Sequence, residues 1–161
     1  MSEVTIILIS YLAAKLCLDI MQIYTIQTVK IDKKSADLLR MSEEDDMKSR
    51  AYNVSKLRLS IIRSIVYVGW VYLFLVGGVV NLLDEKLGFL FLSEYLINLF
   101  TILISFFLVY ITMIPLSYYS TFVIENKYNF NTSSKTLFFK DNLVSIIMTL
   151  ILLMILSSIF F

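Results

Sequence analysis

Three stretches of this chain carry no charged residue: 64–83, 95–124 and 142–161. Roughly 20 apolar residues at ~1.5 Å each cross the ~30 Å hydrocarbon layer of a bilayer. In lipid every backbone polar group must be satisfied internally, which leaves helices and closed barrels. Alternating strand patterns are absent from these stretches, so helices are expected. Composition agrees: 58% of residues are hydrophobic and 17% charged, and the mean hydropathy is +0.80. A soluble domain has about a quarter of its residues charged.

A fourth span opens the chain at about 4–29, apolar except for Lys15 and Asp19. A cleaved signal peptide would carry a positive n-region and a small-residue cleavage site. This segment carries Glu3 and no such site, so it is expected to be retained. The expected architecture is all-α: one membrane domain, 1–161, with spans at about 4–29, 59–83, 95–116 and 143–161. The loops at about 30–58 and 117–142 hold most of the basic residues: eight in 30–58, and Lys127, Lys135 and Lys140 in the second. The connection after residue 83 has only Lys86. The positive-inside rule therefore puts both long loops in the cytoplasm and both termini on the outer side.

Local signals refine this outline. Ser42 followed by Glu43, Glu44 and Asp45 is a good helix start, because serine caps free N–H groups and acids suit the positive end of the helix dipole. That helix is expected to run from the loop into the second span. The run 33–40 suits a short interfacial helix, and Pro115 is expected to kink or end the third span. Gly77 and Gly78 permit close backbone approach without forming a GxxxG pattern.

The chemistry is bounded by what is missing. The sequence has no histidine and one cysteine, Cys17, so it offers no catalytic imidazole, no internal disulfide and no zinc motif. No catalytic and no metal-binding residue is assigned to it. A net charge of +1 gives no argument for nucleic acid; the expected partner is the lipid bilayer. Lys15 and Asp19 lie one helical turn apart and form a candidate intramembrane ion pair. A proton or ion relay in a small transporter subunit is one reading. A self-neutralising structural pair is preferred, because a transporter would show more intramembrane polar groups or helices broken at mid-depth. Asn131-Thr132-Ser133 matches a glycosylation sequon, which a cytoplasmic loop would leave unused.

The segment from Pro115 to Asp141 is dense in aromatic and polar groups. Its Pro115, Tyr118-Tyr119, Thr121-Phe122-Val123-Ile124-Glu125, Phe130-Asn131 and Phe138-Phe139-Lys140-Asp141 resemble the cytoplasmic segment of type I CAAX prenyl endopeptidases, integral-membrane zinc metallopeptidases. Asn129 stands where that family has glycine, and asparagine tolerates positive φ better than most residues. Earlier, Met41-Ser42-Glu43-Glu44, Lys48, Ala51-Tyr52 and Lys56-Leu57-Arg58-Leu59 resemble the family's loop into its second helix. Gly77-Gly78 with Asn81, Leu82 and Asp84 resembles that helix's exit.

The resemblance implies a ring of helices enclosing a chamber, with peptide cleavage at zinc held by an HExxH helix and a downstream glutamate. No residue of this chain matches those ligands. The chain is therefore expected to be the amino-terminal part of such a protease, with zinc in a catalytic half outside this sequence, acting in cis or in trans. Glu125, Phe130, Asn131 and Asp141 become candidate loop-organising or interdomain contacts. They could equally cap or anchor the fourth helix. The alternative is a stand-alone noncatalytic membrane protein that binds a separate catalytic chain.

Overall fold

The computed structural model describes residues 3–29, 42–90 and 93–160, and among them there is helix but no strand. Helix α1 is Glu3–Thr28 and α2 is Glu43–Leu75. A short α3, Val79–Gly88, follows. Helix α4, Glu94–Tyr119, passes directly into a π-helical segment, Ser120–Glu125, and α5 is Lys135–Phe160. Four of these are long and apolar enough to cross a membrane: Glu3–Thr28, Glu43–Leu75, Glu94–Glu125 and Lys135–Ser158. With 10 residues, α3 is only ~15 Å long and does not span. Side chains such as Ile7, Leu18, Ile147 and Leu152 are exposed on the long helices. Soluble monomers do not leave surfaces of this kind open, and here they suit acyl chains.

Ser42 starts α2 as its sequence suggests. Its hydroxyl accepts the Asp45 N–H at 3.1 Å and donates to Asp45 Oδ2 at 2.6 Å, a reciprocal cap. The interfacial helix expected at 33–40 falls outside the described residues.

The expected second span, 59–83, is divided. Gly78 takes a left-handed backbone (φ 75°), and α3 begins directly after it. The two glycines thus act as a break rather than a packing surface. A Cβ on Gly77 would also lie 2.9 Å from the Leu73 backbone. Pro115 does not end α4, which continues to Tyr119. Proline is tolerated inside membrane helices, where local backbone adjustments and neighbouring groups can satisfy the carbonyl it frees; just beyond it, Arg63 Nη2 donates to the Leu116 carbonyl at 3.3 Å. The expected loop 117–142 is correspondingly shorter, because helix covers much of it.

The chain forms two compact units: Met1–Val68 with Leu116–Asn131, and Gly69–Pro115 with Thr132–Phe161. The core of the first is Leu59, Ile124 and Tyr128, with Tyr52 and Leu116 packed against them. In the same unit Arg50 donates to the Ile26 carbonyl at 3.2 Å and to the Val29 carbonyl. The last turn of α1 contains no basic residue of its own, so this guanidinium supplies the positive charge and donors that a helix C-terminus lacks. The second unit joins its helices through neutral donors: Trp70 Nε1 to Thr112 Oγ1 at 2.9 Å, and the Tyr110 hydroxyl to Asn142 Oδ1 at 2.9 Å.

Candidate functional site

The chemistry of the first unit gathers where the charge-free run 95–124 gives way to Glu125. From α2, Lys56 Nζ donates to Ser120 Oγ at 2.8 Å and forms an ion pair with Glu125 Oε1. Ser120 and Glu125 are five residues apart. In an α-helix their side chains would point about 140° away from each other. The π segment widens each turn to an i→i+5 spacing, and both side chains reach the same ammonium. Local winding and the lysine contact therefore depend on each other.

Next to Lys56 on α2, Ser55 Oγ donates to the Ala51 carbonyl at 2.8 Å. Its single proton is thereby used, so the Tyr128 hydroxyl is the donor in the 3.1 Å contact with Ser55 Oγ. Tyr52 meets the rings of Tyr128 and Phe130 edge-on, with centroids 5.7 and 4.8 Å away. Lys48 Nζ sits 5.5 Å from the centre of Phe130.

The backbone turns at this point through a Schellman arrangement. The N–H of Phe130 bonds the Glu125 carbonyl at 2.9 Å, and that of Asn129 bonds the Asn126 carbonyl at 3.2 Å. Asn129 has φ 60°, the left-handed value this motif needs. Asparagine thus fills the position at which the resembled family carries glycine.

Among the sequence candidates, Glu125 and Phe130 belong to this cluster, joined by residues not singled out for it: Lys56, Ser120, Tyr52 and Tyr128. Asn131 follows at the end of the same unit. Asp141 lies in the second unit, exposed on α5. Elsewhere in the first unit, Lys15 and Asp19 form an ion pair with Asp19 3% exposed. Lys56 belongs to the stretch that resembles the family's loop, but nothing in the local sequence marks it, rather than Lys48 or Arg58, as the partner of Glu125. The nearest hint of irregular winding is Pro115, just upstream of the π segment.

Four apolar helices joined by a polar, ion-paired turn define a multi-span helical membrane protein. Residues 22–161 match the family described as CAAX prenyl protease N-terminal, five membrane helices. The chain is 33% identical over 113 residues, 66% of its own length and 26% of the other's, to the CAAX prenyl protease 1 homolog of Dictyostelium discoideum. It therefore spans about a quarter of that relative. No solved structure matches it significantly. The chain belongs to the CAAX prenyl protease N-terminal family. Its own donors do not fit a zinc ion: there is no imidazole in the sequence, and among the described residues no three of Cys, Asp and Glu converge.

Proposed function

We propose that the chain builds membrane wall and surface loops of a CAAX prenyl protease-like zinc endopeptidase, without catalysing cleavage itself. Catalysis then comes from an HExxH-bearing half outside this sequence, in the same polypeptide or in another. The observation that supports this reading is the Lys56–Ser120–Glu125 contact within the family's motif region, in a sequence that has no histidine. Glu125 is engaged by Lys56 inside this chain. Phe130, 49% exposed, and Asp141 are consequently the candidates offered to the catalytic half. The lysine- and arginine-rich loops face the cytoplasm, and both termini face the opposite side.

The test is reconstitution. The full chain is expected to show no hydrolysis of a CAAX-type peptide alone. With the HExxH-bearing half of a family member it should co-purify and support zinc-dependent cleavage, and Phe130→Ala should weaken co-purification. Hydrolysis by the chain alone, or failure to bind the other half, would refute the reading. Orientation is checked in a Cys17→Ala background. An impermeant maleimide should label Lys135→Cys from the cytoplasmic side and Lys86→Cys from the outer side.

A further inference from the structure

Within the first unit, a cleft of about 290 Å³ opens between α2 and the end of the α4–π helix, with Arg58 and Lys127 on its lining. Both side chains are exposed, and among the described residues neither has a carboxylate partner, whereas Lys56 is matched by Glu125. The Ser55 and Tyr128 hydroxyls, bonded to each other, supply the cleft's neutral polar groups. Leu59, Ile62, Val123, Ile124 and the ring of Tyr119 form its apolar wall. Ile62, Tyr119 and Val123 are 48%, 49% and 45% exposed, and they continue the surface toward the uncharged helices.

The cleft also lies at the limits of charge along both helices. Arg63 is the last charged residue before 64–83, and Glu125 is the first after 95–124. Two unneutralised cations above an exposed apolar strip, at the depth where hydrocarbon meets water, match a phosphate carrying acyl chains better than a freely soluble anion. The arginine guanidinium suits two phosphate oxygens at once, and the lysine adds a point charge.

From this geometry we infer that the Arg58–Lys127 cleft binds the headgroup of an anionic phospholipid, with an acyl chain along Ile62, Tyr119 and Val123. The inference is independent of any catalytic half. A zwitterionic headgroup binds more weakly, because its ammonium brings a third positive charge to a site that already has two.

The full chain in nanodiscs of equal phosphatidylcholine and phosphatidylglycerol tests this by native mass spectrometry. The wild-type protein should preferentially retain phosphatidylglycerol. Arg58→Gln with Lys127→Gln should reduce that preference on the order of thirtyfold, from about 1 kcal/mol per basic residue near a membrane surface. Lys135→Gln with Lys140→Gln removes the same charge elsewhere and should leave the preference intact. Equal retention of the two lipids by the wild-type protein would overturn the inference without reference to any variant. An equal loss in the Lys135/Lys140 control would reduce the effect to general surface charge and overturn it too. Displacement of the lipid by inorganic phosphate would assign the cleft to a soluble anion instead.

Discussion

The unit formed by Met1–Val68 with Leu116–Asn131 and the unit formed by Gly69–Pro115 with Thr132–Phe161 are held by different chemistry. Among the described residues, all three ion pairs fall in the first: Lys15–Asp19, Arg50–Asp46 and Lys56–Glu125. In the second, indole, hydroxyl and amide groups join the helices. Its carboxylate Asp84 is met by the Thr101 hydroxyl at 2.6 Å rather than by a cation. Sequence accounts for the contrast. The segments of the first unit contain most of the charge, while those of the second include long runs that have none. Where lipid excludes charge, helix pairing falls to neutral hydrogen bonds, which contribute about 0.6 kcal/mol on average because partners also exist in the unfolded membrane state.

The sharpest way to break this comparison is at Lys56. Lys56→Ala strands Glu125 and Ser120 together. The pair is partly exposed, so screening limits the expected loss to about 1–2 kcal/mol, read by chemical denaturation in detergent. Adding Glu125→Ala should recover part of that loss, and the cycle isolates the coupling. Additive single losses would show that the contact does not hold the unit together.

Asn129→Ala comes next, at about 1 kcal/mol, because a left-handed φ opposes a Cβ without the local hydrogen bonding of asparagine. Asn129→Gly should be neutral or slightly stabilising, so thermal midpoints should rank glycine at or above asparagine and alanine below both. In the second unit, a cycle between Tyr110→Phe and Asn142→Ala should give coupling near 0.6 kcal/mol. A value as large as that at Lys56 would erase the distinction between the units.

The smallest effect concerns pH. The Ser42 hydroxyl, and then its backbone N–H, hold the Asp45 carboxyl below the usual carboxylate range. A depressed folded value means that the cap's contribution is fully present above the unfolded pKa of about 3.9. It is lost as pH falls through the lower folded value. Amide exchange at the first turn of α2 should accelerate in that acid window, and Asp45→Asn should abolish the change.

Much of the fold was legible because its signals are local. Charge-free stretches located the spans, Ser42 with its acids marked the start of α2, and Asn129 in a glycine position anticipated positive φ. The break at Gly78 was harder to read, since two glycines in an apolar run suit close packing as well as a turn. At the site, Glu125 and Phe130 were visible through the motif around them. Lys56 stood in the other resembling stretch, but its pairing with Glu125 was not legible. It lies 69 residues from Glu125, and helical periodicity carries no information about which of eight basic residues in 30–58 crosses to another helix. The π winding was hidden for a related reason, because it is sustained by that same distant lysine.

The π segment leaves the helix one residue longer than an α-helical ladder over the same rise would require. Deleting Thr121, or a neighbour that contacts nothing essential, would let the helix reclose with its length and hydrophobicity almost unchanged. Downstream side chains would also keep nearly their present phase relative to Leu116, because five residues wound as α-helix turn the chain about as far as six wound as π. Ser120 and Glu125 would then stand four residues apart, about 40° around the axis, so Lys56 could keep both and Tyr128 its place against Leu59. It is rewinding this segment as α-helix with every residue kept that would misdirect all that follows, by about 100°, so here the widened turn absorbs a surplus residue without disturbing the turn beyond it.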